Sequence, residues 1–198
     1  MLLVEKDGVF CAARDHTAVW IPASNGTGEV VVHLSHVLVA PEQRRSGLAG
    51  WLRAAPVVAA RELAASHGVP DAAITLVGEM EYDDGTDPKR AVRLAAYERA
   101  GYLKVDPVAV RFFQPDFRSP AVIDAAGGSV PLAFQLLVRR VGKENEKTLT
   151  GAEVRLLIQA IYAIYGAQFS AREMNHPLLS MDRYPAAGAS VALVPPTA

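Results

Sequence analysis

Cysteine is almost absent from this 198-residue chain. The one thiol, Cys11, has no partner for an internal disulfide and leaves too little sulfur for a thiolate zinc site. A reducing compartment is therefore expected, and the chain reads as cytoplasmic. Long apolar runs are missing as well. No stretch approaches the ~20 residues that a membrane helix needs. The opening MLLVEKDGVF places charges where a secretory leader requires an unbroken apolar segment. An excess of one charge is also lacking: the formal net charge is −1, whereas a nucleic-acid-binding domain would be basic. Neither nucleic acid nor membrane is expected as a partner. GxGxxG and GxxxxGK[ST] are both missing, as is the regular βαβα alternation that would accompany them.

What remains is a chain with 51% hydrophobic residues, enough to bury a substantial core. Its pattern predicts short strands at 2–10 and 11–21, with Asp7-Gly8 turning the chain between extended stretches. A second turn is expected at 24–28 (SNGTG), followed by a β-branched strand at 29–40. A helix is expected over 47–66 with a kink at Pro56, then a strand at 72–80. Asp87-Pro88 is a suitable N-cap and first position for a helix that ends at Gly101. Strands are predicted at 108–113 and 131–141, joined by a Pro/Gly-rich loop. Thr150-Gly151-Ala152-Glu153 has the form of a capping box. After it Val154, Leu157, Ile158, Ile161 and Tyr165 recur at helical spacing, predicting an amphipathic helix over 151–165. A shorter helix is expected around 168–182, and the tail VALVPPTA reads as frayed. The fold class is α/β in the broad α+β sense: a mixed, mostly antiparallel central sheet flanked by helices. Residues 1–145 read as the main domain and 146–198 as a helical extension packed on it.

The most informative segment is VLVAPEQRRSGLAGWL, residues 37–52. A strand-like run, Val37-Leu38-Val39, meets Pro41, and Arg44-Arg45-Ser46-Gly47-Leu48-Ala49-Gly50 opens into an Ala/Leu-rich helix. First-turn amides of a helix lack intrahelical acceptors and carry the positive end of the helix dipole. Glycines at 47 and 50 would let backbone approach a ligand closely. Strand, glycine loop, helix start and two arginines together spell an anion-binding loop.

Arg44-x-x-Gly47-x-Ala49, after a strand and a proline and opening a helix, resembles the acetyl-CoA signature of the GNAT superfamily, the Gcn5-related N-acetyltransferases. A second stretch, AAYERAGYLKV at 95–105, resembles that family's Tyr-Glu-x-x-Gly-Phe/Tyr element, which ends a helix and enters a strand. The resemblance covers roughly residues 2–141. It implies a GNAT-like sheet, acetyl-CoA as acyl donor and a primary amine of a small molecule or peptide as acceptor. It also implies cofactor contacts from Val37, Leu38, Val39, Arg44, Arg45, Ser46, Gly47, Leu48, Ala49 and Gly50, with a backbone N–H near Val39 facing the oxyanion. No metal is implied.

Three residues are candidates for proton chemistry. Tyr97 occupies the position of the family's general-acid tyrosine; alternatively it is a core residue sharing a helical face with Leu94 and Ala100. His33 lies eleven residues before Arg44, where some histone-acetylating members carry a glutamate base. Its ordinary pKa of about 6.5 suits that task, and a hydrogen-bonded strand histidine is the alternative. His36, three residues on, would face the other side of the strand. Glu79, with Glu81, is a rival base or ammonium ligand, or else a solvated charge. Glu79, Glu81, Asp83, Asp84 and Asp87 crowd one segment and favour a cationic acceptor.

Two departures from the family's pattern stand out. Arg90 occupies the position seven residues before the tyrosine where many members carry Asn, and the N-terminal strand and helices expected in half of the acceptor site are missing. These departures support a second reading: a GNAT scaffold that binds acyl-CoA or a partner protein without efficient transfer. The amphipathic helix at 151–165 leaves a homodimer open.

Overall fold

The structure is a computed structural model and describes residues 1–23 and 26–198. It is mixed α+β: a mostly antiparallel open sheet of nine strands, flanked by helices. The strands are β1 (Leu2–Lys6), β2 (Val9–Pro22), β3 (Gly28–Val39), β4 (Ala73–Met80), β5 (Leu103–Val105), β6 (Phe112–Gln114), β7 (Leu132–Arg140), β8 (Thr148–Thr150) and β9 (Ser190–Val194). The helices are α1 (Leu48–Ala54), α2 (Pro56–Ser66), α3 (Pro88–Arg99), α4 (Pro120–Ala125), α5 (Gly151–Gly166) and α6 (Ala171–Ser180). The sheet order is β1-β2-β3-β4-β7-β5-β9-β8, with β6 paired to β7. Among the described residues no helix is long and apolar enough to cross a membrane.

The chain divides into two compact units. The first holds Met1–Gly78, Arg99–Tyr102 and Val138–Glu144. Its opening hairpin turns at Asp7 and Gly8, both left-handed (φ 53° and 79°). Two left-handed residues make the turn whose twist matches that of the flanking strands. β2 and β3 pair antiparallel, whereas β3 and β4 pair parallel. A parallel neighbour requires a crossover, and α1 with α2 supplies it. The helix expected over 47–66 is two helices. Pro56 has no N–H to donate, so α1 ends at Ala54 and the proline opens α2 at its first turn. Ala60 and Ala64, fully buried and one turn apart on α2, let the helix approach β2 and β3 closely. Val30, Val31, Val32, Leu34, Ile74, Leu76 and Val77 fill the core of this unit. The turn expected at 24–28 includes Ser24 and Asn25, which lie outside the described residues.

The second unit holds Glu79–Glu98, Leu103–Leu137 and Asn145–Ala198. Both of its longer C-terminal helices start with a capping box. Thr150 Oγ1 accepts from the Glu153 amide (3.1 Å) while the Thr150 amide donates to Glu153 Oε2 (2.7 Å). Ser170 and Glu173 repeat the arrangement at α6. α5 buries Val154, Leu157, Ile158, Ile161 and Tyr165, the face its periodicity predicts.

Three expectations need correction here. The strand predicted at 108–113 is confined to Phe112–Gln114. Asp106 draws the preceding residues into a turn, accepting from the Val108 amide with its side chain and from the Val110 amide with its carbonyl (both 2.9 Å). The Pro/Gly-rich loop contains α4. The tail is no frayed end: Ser190–Val194 forms β9, pairing with β5 on one side and β8 on the other. Val191 and Leu193 are buried and Ser190 and Ala192 exposed, a strand's two-residue alternation. The segment from residue 146 thus adds two strands to its two helices.

Gly151 fixes the junction between β8 and α5. A Cβ there would stand 2.2 Å from the Ala186 carbonyl oxygen and 2.7 Å from that of Pro185. Gly151→Ala should lower stability to urea by about 1–3 kcal/mol through this backbone clash. Thr150→Ala, which removes only the cap, should cost about 1 kcal/mol. Equal unfolding midpoints for Gly151→Ala and the parent would refute the close approach.

Candidate functional site

In the first unit the site is built on the C-terminal end of β3. From Glu29 to Leu34 this strand has a partner on each side, β2 and β4; the parallel ladder ends at Leu34–Gly78, yet β3 runs on to Val39. Among the described residues Val37–Val39 therefore pairs with β2 alone. The β2 register slips here too: Arg14 faces Val37 and His16 faces Leu34, so two steps on β2 match three on β3. That extra residue is a β-bulge, which bends a strand and re-aims its groups. It also interrupts the two-residue period by which His36 was placed opposite His33. The Ala40 amide donates to the Cys11 carbonyl (2.8 Å). Successive strand amides point to opposite edges, so the Val39 and Val37 amides face away from β2.

Beyond β3 the chain takes a single 3-10 turn, Pro41–Gln43, before α1. Ser46 Oγ donates to the Gln43 carbonyl (2.6 Å) and accepts a long bond from the Leu48 amide (3.4 Å). Gly47 caps α1 at φ +87°, a conformation suited to glycine, with nothing within 4 Å of the space a Cβ would occupy. Gly50 has no such need. It lies inside α1, and a Cβ there would meet only the Arg53 guanidinium, at ordinary contact distance. Arg45 is also left-handed (φ +66°) without being a glycine. Arg44 and Arg45 are exposed, and among the described residues neither forms an ion pair. Leu38 and Trp51, 69% and 56% exposed, add apolar surface before and after the loop. Tyr102, buried, donates to the Arg53 carbonyl at 3.4 Å at the end of α1.

His33 also belongs to the first unit. It lies between Thr17 of β2 and Val77 of β4 and is 3% exposed, in the most heavily buried stretch of β3.

Glu79 and Tyr97 belong to the second unit. Tyr97 is 7% exposed on α3. Glu79, half-buried at the end of β4, accepts from the Tyr165 hydroxyl (2.5 Å) and from the Gln114 amide. Burial, then the neighbouring Glu79 carboxylate, raises the Tyr165 pKa far above its ordinary value, so this phenol keeps its proton and donates. Its ring stands edge-to-face with Phe117 (5.7 Å) and Phe169 (5.9 Å), and those two rings are 4.9 Å apart. Sequence reasoning read Tyr165 only as part of an apolar helical stripe and did not single out Gln114. Their partner is 86 residues from one and 35 from the other, and no local pattern signals such a pair.

The acidic segment is less available than its composition suggests. Glu81 pairs with Arg93 and Asp84 with Arg90, each at 2.5 Å. Asp83 accepts from the Gly85 amide, Asp84 also from Thr86, and Asp87 from the Lys89 amide at the start of α3. Hydrogen bonds from Thr86, then from Arg90, depress the Asp84 pKa well below the carboxylate range. Glu79 is the member of the run held by side chains from β6 and α5. Among the described residues no group of three or more His, Cys, Asp or Glu is placed to hold a metal ion.

Compared with protein-family models and with curated proteins, the chain matches none.

Arg45 tests whether the loop carries strain. A non-glycine residue in the left-handed region costs about 1–2 kcal/mol, part of which glycine returns through its freer unfolded chain. Arg45→Gly should therefore raise stability by up to about 1 kcal/mol in urea titration. A loss of that size would show that the Arg45 side chain stabilises the loop.

Proposed function

We propose that the chain is an acetyl-CoA-dependent N-acetyltransferase acting on a primary amine of a small molecule or peptide. The observation that carries this reading is the end of β3. There a strand loses its neighbour on one side, turns through an unobstructed glycine and enters a helix beside two arginines without acid partners. These residues fit the donor. The exposed arginines and the positive end of the α1 dipole suit a pyrophosphate. The Val37–Val39 edge suits the amides of a pantetheine arm, which would lie along it as an added strand.

When bound, acetyl-CoA would supply an acyl group activated as a thioester. The Val39 amide, aimed away from β2, would donate to the oxygen on which charge develops during transfer. Tyr97 is assigned, on its match to the family's motif, to return a proton to the departing thiolate. Glu79 is favoured over His33 for the acceptor ammonium. It is a half-buried carboxylate oriented by Tyr165 and Gln114, whereas His33 is enclosed in the strand core. Cytoplasmic location belongs to this same reading.

One observation favours a second reading, a scaffold that holds acyl-CoA without efficient transfer. Arg90, at the position of the family's pantetheine-holding Asn, is engaged with Asp84 and Thr86 instead.

Acetyl-CoA at a hundred times its Kd should stabilise the chain by about 2.7 kcal/mol, raising Tm by roughly 5–10 °C. Arg44→Glu should abolish that shift, and an unchanged shift would sink the loop assignment. Free-thiol release over an amine panel then separates the two readings. With a productive amine, Tyr97→Phe should lower kcat about 10²-fold while leaving the acetyl-CoA KM near that of the parent. Release no faster than hydrolysis with every amine, alongside an intact thermal shift, would establish the scaffold.

A further inference from the structure

A cleft lies wholly within the second unit and uses none of the residues assigned above. Its volume is about 320 Å³, within the range of small-molecule sites. Arg111, Phe113, His176, Leu179, Arg183 and Tyr184 supply its principal walls. The two arginines enter from different elements, one immediately before β6 and the other from the 3-10 turn Met181–Arg183 that follows α6.

The polar character of the cleft is one-sided. No carboxylate lines it, and among the described residues neither Arg111 nor Arg183 forms an ion pair. Of the acids adjacent in sequence, Asp106 spends its carboxylate on the Val108 amide, and Asp182 is exposed on the 3-10 turn. The apolar character is equally defined. The Arg111 guanidinium lies 5.5 Å from the Phe113 ring centroid, and the His176 ring meets that ring edge-on at 4.8 Å. Leu179 is 58% exposed at the wall.

The frame around these groups is fixed. The Tyr184 hydroxyl donates to the Arg111 carbonyl (3.3 Å), and the Tyr162 hydroxyl donates to the Phe113 carbonyl (2.9 Å). Arg155 donates to the carbonyls of Met181 and Tyr184, which holds the 3-10 turn in place. The arginine heads are thus free to meet a ligand while their backbones are pinned.

We propose that this cleft binds a small organic anion, a carboxylate or phosphate monoester carried on an apolar body. The anion would sit between the Arg111 and Arg183 guanidinium groups, whose planar forks suit either headgroup. The body would lie against Phe113 and Leu179. Two arginines left without acids beside an aromatic wall match that chemistry, whereas a cationic ligand would face two positive charges and no counter-charge.

Calorimetric titration of the full chain tests this with four probes: 3-phenylpropionate, phenyl phosphate, the neutral 3-phenylpropanamide and inorganic phosphate. At least one of the two phenyl anions should bind about tenfold or more tightly than the amide, since a charge-assisted contact is lost with the charge. The tighter of the two identifies the headgroup, and inorganic phosphate should bind more weakly than phenyl phosphate because it lacks the body. Arg111→Gln with Arg183→Gln should remove that preference for the anion. Leu179→Glu, which leaves both arginines in place, should weaken the anion about tenfold by setting a like charge in the cleft. Far-UV circular dichroism checks that each variant is folded. Equal binding of amide and anions, no binding of either phenyl anion at 10 mM, or unchanged anion affinity in both variants would overturn the proposal.

Discussion

β3 has two partners as far as Leu34 and one thereafter, and much of the first unit follows from that change. Its parallel neighbour β4 can be reached only by a crossover, so the chain must leave the carboxyl end of β3, form helix and return. The loop, the 3-10 turn and the start of α1 therefore occupy the carboxyl end of a strand, where ligands of parallel α/β units gather. The bulge opposite Arg14 and His16 sits at the same point, and beyond it the end of the β4 ladder leaves Val37–Val39 as an edge with backbone amides to offer. Had β4 paired antiparallel, a short hairpin would have sufficed, and no helix N-terminus would stand beside that edge.

What could be read in the sequence is what is encoded locally. The Asp7-Gly8 turn, the Thr150–Glu153 capping box, the amphipathic face of α5 and the disturbance at Pro56, expected as a kink and found as a helix boundary, each rest on residues within a few positions of one another. β9 rests on something else. VALV is too short to establish a period and is followed by two prolines, so it resembles a tail; its strand character comes from β5, which lies about 90 residues away, and from β8. The segment 108–113 failed the other way. Its apolar residues suggest a strand, but Asp106-Pro107 is a turn signal in its own right. The Asp106 carboxylate and carbonyl take the amides a strand would have used.

The candidate site shows the same division. The loop of Arg44, Arg45 and Gly47 was legible as a loop and helix start because its left-handed glycine and the helix that follows lie in consecutive backbone. Gly50 differs from Gly47: no left-handed angle and no close protein neighbour requires a glycine there. The acidic segment shows how composition and structure can differ. Five carboxylates in nine residues suggest a negative surface, yet Asp83 and Asp87 brace local backbone while Glu81 and Asp84 pair with α3 arginines. Composition counts charges, whereas recognition depends on charges that still have hydrogen-bonding capacity to give.

The same reasoning applies to the arginines. Arg90, Arg93, Arg118, Arg139 and Arg172 meet carboxylates, and Arg61 and Arg155 meet backbone carbonyls. Among the described residues five others do neither: Arg44, Arg45, Arg99, Arg111 and Arg183. Arg99 stands in the last turn of α3, where a cation complements the helix dipole without a partner. The remaining four fall into two pairs, one at the β3 loop and one around the Phe113 cleft. In a chain with net charge −1, acids to neutralise them are not scarce overall; among the described residues none of those acids forms an ion pair with these four. A guanidinium held by its backbone and left without an acid retains five donors in a fixed plane, the condition under which it binds an anion that arrives from solution.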